Sequence, residues 1–171
     1  MTDVLTPEQR HRCMQSNRGR GTKIELLIAR ELRQRNIRYR KNDRTVYGKP
    51  DFCFKGLKIA VFCDGVFWHG RDWDTTFRNR DTLSPYWVAK IERNIARDKK
   101  VNSRLEEEGW LVLRLWEDEI RRSAAACVDK IESLIAQRTA ERLRRTYAYD
   151  TQYDDLLMVA EEEETYQTAS E

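Results

Sequence analysis

The chain has 171 residues, of which 40% are hydrophobic and 36% are charged, a composition that suits one folded domain with appendages. No apolar run approaches the roughly 20 residues of a membrane-spanning helix, and the first ten residues lack an apolar signal region. The four cysteines form neither a CxxC pair nor a zinc-spaced cluster with histidine. We therefore expect reduced thiols in a cytoplasmic protein with no membrane partner.

The net charge of +3 conceals an uneven distribution of charged residues. Residues 146–171 carry eight acidic residues and no Lys or Arg, so without them the net charge rises to +11. A body that basic favours a polyanionic partner such as nucleic acid, although a merely well-solvated surface has the same composition.

The first half of the chain predicts a helix followed by a hairpin. Residues 1–21 are polar and basic, which is typical of a mobile arm. Thr22 and Glu25 form a capping box that predicts a helix to about Arg35. Residues 51–54 and 57–63 flank Lys55-Gly56 and predict a β-hairpin, whose mostly apolar second strand is expected at the centre of a sheet.

The second half predicts a long loop, a helix, a strand and a last helix. Residues 66–83 lack periodicity and predict a functional loop. Ser84 and Pro85 predict the start of a helix that ends before Gly109. Residues 110–116 predict a strand and residues 119–142 a helix, with the acidic remainder irregular or loosely docked. This order predicts an α/β domain around a small mixed sheet. The predicted parts are a basic arm, a globular domain and an acidic tail, at residues 1–21, 22–142 and 143–171.

Two acidic residues lie at the same end of the predicted hairpin. Asp51 begins its first strand and Asp64 ends its second. Two carboxylates so close together repel each other unless a proton or cation lies between them. Mg²⁺ prefers one or two carboxylates plus waters as ligands. The pair therefore suggests a metal site for phosphodiester hydrolysis, although exposed acids at strand ends show the same pattern.

Further polar residues could approach this site. His69 lies five residues after Asp64 and is either a general acid or base or a packed loop residue. Asn94 and Asp98 end an apolar stripe on the predicted helix, either facing the site or emerging into solvent. Glu25 either caps its helix or points a carboxylate toward the same site.

Apolar side chains stand in two unexpected places. Phe67 and Trp68 lie in a polar loop, and Met14 lies in the basic arm. Enzymes that act on nucleic acids insert such side chains between base pairs as wedges, although aromatic residues also commonly fold back onto a core.

Taken together, the motifs resemble the very-short-patch-repair (Vsr) endonucleases, which belong to the PD-(D/E)xK nuclease superfamily. The resemblance is carried by residues 48–52, 61–69, 104–117 and the helical stripe that contains Trp87, and its register holds from about Met14 to Trp116. It implies a restriction-endonuclease-like α/β fold, a small mixed central sheet flanked by helices. It also implies Mg²⁺-dependent nicking of one strand of duplex DNA at a T:G mismatch or related lesion.

The resemblance assigns roles to individual residues. Asp51 is implied as the primary metal ligand, with the backbone carbonyl of Cys63 beside it, and His69 as the catalytic histidine. Asp98 and Glu25 are implied to hold metal-bound waters. The implied DNA contacts are a wedge of three aromatic residues, a methionine opposite it and three polar residues: Phe67, Trp68, Trp87, Met14, Arg20, Lys23 and Asn94.

The chain departs from the family at the positions that hold a structural zinc ion in typical members. Those positions are Val66, Arg71, Trp73 and Asp118, none of which supplies a thiolate or imidazole, so no structural zinc is expected. Asp64 stands where a histidine is usual and could add a third metal ligand.

Two other functions remain open at this point. One is a restriction or phage-defence nuclease that recognises modified DNA with the same catalytic domain. The other is a non-catalytic DNA-binding module, against which the intact Asp51, His69 and Asp98 argue. Double-stranded DNA is the expected partner of a monomer, and mismatch-repair proteins or a methyltransferase are candidate protein partners.

Overall fold

The computed structural model describes residues 21–77 and 85–168, with side chains to residue 147. The described residues divide into two compact units, one ending at Glu132 and the other beginning at Ser133. The first unit contains a four-stranded mixed sheet with helices, which confirms the predicted α/β class. No helix among the described residues is long and apolar enough to cross a membrane.

Helix α1 (Lys23–Gln34) begins at the predicted capping box. Thr22 Oγ1 accepts a hydrogen bond from the backbone nitrogen of Glu25, and the Glu25 side chain accepts one from the backbone nitrogen of Thr22. This reciprocal pair satisfies two backbone donors that a helix N-terminus otherwise leaves without partners. The cap fixes the start of α1 at the edge of the groove described below.

The sheet has the order β1 (Arg40–Lys41), β2 (Phe52–Phe54), β3 (Ile59–Asp64) and β4 (Leu111–Trp116). Strands β1, β2 and β3 pair antiparallel, whereas β3 and β4 are parallel. The predicted hairpin is confirmed, but its connection extends from Lys55 through Lys58. Lys58 adopts a left-handed conformation with φ of +51°.

Helix α2 (Pro85–Glu107) packs on this sheet and links the loop after β3 to β4. Val101 and Leu105 of α2 join a core cluster with Ala60 and Phe62 of β3 and Cys53 of β2. Gly109 follows the helix with φ of +79°, as its predicted position as a helix stop requires. The predicted N-cap Ser84 lies outside the described residues.

The C-terminal part differs from the sequence-based expectation. The last predicted helix is divided into α3 (Glu117–Arg122) and α4 (Ala124–Thr168), separated by Ser123. The expectation of an irregular tail was wrong, because α4 continues through the acidic segment. The domain boundaries at residues 21 and 142 stay predictions.

Candidate active site

A groove of about 1270 Å³ crosses the first unit beside the end of β3. It is larger than the roughly 300–1,000 Å³ of small-molecule pockets, so its size suits a macromolecular ligand. Its lining includes eight basic residues, which are Lys23, Arg44, Lys49, Lys90, Arg97, Arg104, Arg114 and Arg121. The same groove brings together all six of the proposed catalytic and metal-binding residues, namely Glu25, Asp51, Cys63, Asp64, His69 and Asp98.

Asp51 lies where β2 begins and is tied to β3. Its Oδ2 atom accepts a hydrogen bond of 2.7 Å from the backbone nitrogen of Cys63. Burial raises the pKa of Asp51 to about 6, and the negative charges of Glu25 and Asp64 add to this effect. The carboxylate therefore lies in a negative environment that a bound cation would relieve.

Cys63 contributes backbone atoms to this site. Burial, followed by the neighbouring charge of Asp51, raises the pKa of its thiol well above the ordinary value. The side chain therefore stays a neutral thiol, which is a poor ligand for a hard cation such as Mg²⁺. Among its groups, the carbonyl oxygen is the one chemically suited to Mg²⁺.

Glu25 caps α1 and also lines the groove that contains Asp51. Its carboxylate accepts hydrogen bonds from the backbone nitrogens of Gly21 and Thr22, and lies 3.2 Å from Lys41 Nζ. Burial opposes ionisation, but these bonds hold the pKa of Glu25 below its usual value. Glu25 therefore caps α1 and remains a negative charge that acts on Asp51.

His69 is held by carboxylates at one ring nitrogen. Its Nδ1 atom lies 2.6 Å from Asp98 Oδ2 and 3.4 Å from Asp64 Oδ1. Burial opposes ionisation of Asp98, but the contact with His69 and the charge of Arg114 hold the pKa of Asp98 below its usual value. A hydrogen bond from Nδ1 to this carboxylate leaves Nε2 as the ring nitrogen for proton transfer.

Arg114 of β4 is a residue of the site that the sequence analysis missed. Its Nη1 atom lies 2.6 Å from Asp64 Oδ2, and its Nε atom donates to Asn102 Oδ1 at 3.0 Å. Its guanidinium also packs 4.7 Å from the ring centre of Phe62. The signal that could have identified it is a single cation within the apolar sequence Leu-Val-Leu-Arg-Leu-Trp.

Aromatic side chains form a chain beside the groove. Neighbouring rings of Phe67, Trp68, Trp87 and Tyr86 contact one another edge-on, with centres 5.1–5.3 Å apart. Lys90 Nζ lies 5.2 Å from the ring centre of Trp68 and 5.3 Å from that of Trp87. Tyr86, which the sequence analysis also missed, is 47% exposed and extends this cluster.

Comparisons with known proteins identify the family. The family model for the DNA mismatch endonuclease Vsr matches residues 2–75. The Type II nicking enzyme V.NmeDIP of Neisseria meningitidis serogroup C is 48% identical over 133 residues, which cover 78% of this chain and 90% of that protein. The DNA mismatch endonuclease Vsr of Escherichia coli (strain K12) is 34% identical over 121 residues, covering 71% of this chain and 77% of that protein.

The chain belongs to the Vsr family of DNA endonucleases. A further relative, the Type II nicking enzyme V.HpaIIP of Haemophilus parainfluenzae, is 45% identical over 137 residues, covering 80% of this chain and 97% of that protein. These matches confirm the resemblance seen in the motifs, and with it the PD-(D/E)xK nuclease fold, the endonuclease activity and DNA as the substrate.

Of the four other residues that the resemblance implies as DNA contacts, two line the groove and two lie outside the described residues. Lys23 lines the groove. Asn94 also lines it, but its Nδ2 atom donates a hydrogen bond of 3.0 Å to the backbone carbonyl of Trp68, so Asn94 holds the aromatic cluster in place. Met14 and Arg20 lie outside the described residues, and their contacts with DNA stay predictions.

The residues at the positions of the zinc ligands of typical Vsr proteins make other contacts here. Arg71 pairs with Asp118, lies 3.1 Å from Glu119 Oε1 and stacks 5.5 Å from the ring centre of Trp116. Trp73 is buried, with only 6% of its surface exposed. The ion pairs of Arg71 with Asp118 and Glu119 therefore connect the loop after β3 to α3.

The groups near Asp51 suit a Mg²⁺ ion that keeps several water ligands better than a metal ion bound entirely by protein side chains. Among the residues that the structure describes, no three His, Cys, Asp or Glu side chains converge on one point to hold a metal ion. Mg²⁺ commonly takes one or two carboxylates and keeps several waters. The half-buried Asp51 carboxylate beside the Cys63 backbone meets that requirement, whereas Asp64 is already in contact with Arg114 and His69.

Proposed function

We propose that this Vsr-family endonuclease nicks one strand of duplex DNA at a T:G mismatch or related lesion in a Mg²⁺-dependent reaction. The observation that carries the proposal is the convergence of Asp51 and the His69–Asp98 pair in one groove with basic side chains along it. A carboxylate that can bind a metal ion and an imidazole that can transfer a proton are two groups with which an enzyme can hydrolyse a phosphodiester.

Asp51 and the backbone carbonyl of Cys63 are the proposed metal ligands. When bound, Mg²⁺ would polarise the scissile phosphate and supply a more acidic water molecule. Asp51 is prepared for this role because its pKa is raised by burial and by the charges of Glu25 and Asp64, which favours any cation that binds it. Glu25 is proposed to orient metal-bound water from the capped start of α1.

His69 is the proposed general acid or base. Asp98 accepts a hydrogen bond from Nδ1 and so fixes both the tautomer and the orientation of the ring. Nε2 is then the atom that exchanges a proton with the attacking water or with the leaving oxygen of the DNA strand. The contact of 2.6 Å gives Asp98 a direct part in this arrangement.

The aromatic cluster is the proposed wedge that opens the duplex. Trp68 and Trp87 stack edge-on beside the groove, and the cation of Lys90 lies over both rings. Insertion of aromatic side chains unstacks base pairs at a cost of a few kcal/mol per step, and a mismatched pair is opened most readily. The printed name of the Escherichia coli relative, a DNA mismatch endonuclease, agrees with this target.

A plasmid-nicking assay tests the catalytic assignment. We expect Mg²⁺-dependent nicking by the wild type and a loss of at least the roughly 10²–10⁴-fold typical of acid–base catalysis in Asp51→Ala and His69→Ala. Asp129→Ala is the matched control, because Asp129 pairs with Arg35 away from the groove. Near-wild-type cleavage by purified Asp51→Ala would refute the assignment of the metal ligand.

A second target class is a modified base, as in a restriction or phage-defence nuclease. This second proposal is supported by the ion pair that joins Arg71, in the loop after His69, to Asp118 of α3, because typical Vsr proteins hold a zinc ion at these positions. A panel of duplexes with T:G, other mismatches and modified cytosines separates the two. Preferential nicking of the T:G duplex supports mismatch repair, and preferential nicking of a fully paired modified duplex supports restriction.

A further inference from the structure

Arg114 stands out because its charge is largely buried in the sheet. Its side chain is only 14% exposed, and β4 is otherwise apolar from Leu111 to Leu115. A buried cation is costly unless it is paired and its donors are hydrogen-bonded. The partners of Arg114 should therefore show why a cation is present in this strand.

All three nitrogen atoms of the guanidinium have partners around His69. Nη1 lies 2.6 Å from Asp64 Oδ2, and Nη2 lies 3.4 Å from the backbone carbonyl and 3.6 Å from Oδ1 of Asp98. Nε donates to Asn102 at 3.0 Å. One planar group thus touches both carboxylates that contact Nδ1 of His69.

The parallel pairing of β3 and β4 explains this geometry. Phe62 is the register partner of Arg114, and Asp64 lies two residues further along β3 on the same face. The guanidinium stacks on the Phe62 ring at 4.7 Å, which fixes its plane. Its fork therefore points along the sheet toward Asp64, while Asn102 and Asp98 meet it from helix α2.

We propose that Arg114 is a positioning residue of the nuclease site, which holds Asp64 and Asp98 in place as the two carboxylates that orient His69. This inference rests on the proposed catalytic role of His69. Without a cation between them, two carboxylates near one imidazole nitrogen repel each other and the ring loses its fixed orientation. Arg114 makes no direct contact with the reacting phosphate in this role.

The same contacts assign Asp64 to the histidine and not to the metal. Its Oδ2 atom is engaged by Arg114 and its Oδ1 atom faces His69 at 3.4 Å. Asp64 already has a cation within ion-pair distance, so it has no need of Mg²⁺ to balance its charge. This assignment replaces the third metal ligand that the sequence suggested.

Single-turnover nicking at saturating enzyme tests the proposal, because the plateau rate constant does not depend on the fraction of protein that is folded. Arg114→Met keeps much of the side-chain volume and removes the charge. We expect its rate constant to fall by about 10–100-fold, as for residues that orient catalytic ligands, with DNA affinity and the Mg²⁺ concentration for half-maximal rate unchanged. Arg114→Lys should recover only part of the rate, since an ammonium cannot reach all three partners.

Two further variants separate positioning from stability. Arg114→Met with Asp64→Asn removes both charges of the buried pair, so it should fold about as well as the wild type and still nick slowly. Arg35→Met removes another arginine with several ion pairs, to Glu31, Asp129 and Glu132 away from the groove. It should lose stability without losing the single-turnover rate.

A wild-type rate constant in Arg114→Met or in the double variant overturns the proposal. So does a slow double variant whose rate is restored by raising Mg²⁺, since that result makes Asp64 a metal ligand. His69→Ala separates a failure of the proposed function from a failure of the role of Arg114. If His69→Ala nicks normally, the proposed function fails. If His69→Ala is slow while Arg114→Met is normal, only the role of Arg114 fails.

Discussion

The Oδ2 atom of Asp51 accepts a hydrogen bond of 2.7 Å from the backbone nitrogen of Cys63. This bond joins the start of β2 to the end of β3 at the point where the metal is proposed to bind. It also stabilises the ionised carboxylate, and yet burial and the nearby charges of Glu25 and Asp64 raise the pKa of Asp51 to about 6. The metal-free protein therefore carries a carboxylate whose ionisation weakens the fold.

This relationship predicts that Asp51→Asn stabilises the metal-free protein at high pH. A carboxyl pKa that is raised on folding means that the folded chain binds the proton more tightly, so stability falls as pH rises from about 4 to about 6. Asn keeps an acceptor for the Cys63 N–H group and removes the charge. In EDTA, denaturant unfolding should show a gain of about 1–3 kcal/mol at pH 8 and almost none near pH 4.

Asp43→Asn is the control of opposite sign for this measurement. Hydrogen bonds from the Thr45 side chain and backbone hold the pKa of Asp43 below its usual value. The stability that the ionised Asp43 carboxylate contributes is fully present above its pKa in the unfolded chain and is lost as pH falls. Asp43→Asn should therefore destabilise the protein at pH 8. Equal stability of Asp51→Asn and the wild type at pH 8 would contradict the buried-charge argument.

Gly70 should not tolerate a side chain. It has φ of +59°, and a Cβ atom there would lie 2.4 Å from Ile95 Cδ1 and 2.9 Å from Ile95 Cγ1. Gly70→Ala should therefore cost about 1–3 kcal/mol of unfolding free energy by overpacking and should slow nicking, because His69 precedes it. Gly56→Ala is the matched control, since its Cβ would meet no atom within 4 Å. Equal losses in both variants would contradict this account.

Local signals explain what the sequence predicted correctly. The capping box of Thr22 and Glu25, the hairpin turn after Phe54 and the helix stop at Gly109 depend on residues a few positions apart. Each signal acts through a backbone hydrogen bond or a dihedral preference that neighbouring residues decide. The elements that carry these signals also bring Asp51 and Asp64 to one end of the hairpin.

Contacts between distant residues explain what the sequence did not reveal. Arg114 lies 50 residues from Asp64 and 12 from Asn102. The pairing of β3 with β4 brings Asp64 to it, and the packing of α2 against β4 brings Asn102. The two-residue strand β1 is too short to have a periodic pattern. The continuation of α4 beyond Arg142 was not predicted, because the acidic composition of that segment also suits an irregular tail, although its Ala, Leu and Glu residues favour a helix.

Deletion of residues 146–171 should tighten non-specific DNA binding. The deletion removes eight acidic residues and raises the net charge from +3 to +11. The affinity for undamaged duplex comes from basic side chains that neutralise DNA phosphates, and it therefore depends on salt. The acidic segment should compete with the phosphates for these side chains. Titrations should show a gain in affinity at low salt that shrinks as salt rises. A full-length variant with Glu161–Glu164 changed to Gln should shift in the same direction, and unchanged affinity at low salt in both would contradict the prediction.

We expect the contacts of Arg71 to stabilise the loop after β3, as the structural zinc ion does in typical members of the family. We expect elemental analysis to find no stoichiometric zinc, and EDTA to leave the stability of the Mg²⁺-free protein unchanged, because Val66, Arg71, Trp73 and Asp118 supply no thiolate or imidazole.

The Arg71 contacts themselves can be measured by substitution. Arg71 pairs with Asp118 and Glu119 and stacks on Trp116, and its side chain is 28% exposed. Arg71→Met should therefore lower the unfolding free energy by about 1–2 kcal/mol. Arg121→Met, whose side chain is 58% exposed and pairs with Glu117 of the same helix, should cost about 0.5 kcal/mol or less. About one zinc ion per chain, or an Arg71→Met variant as stable as the control, would show that another contact holds the loop.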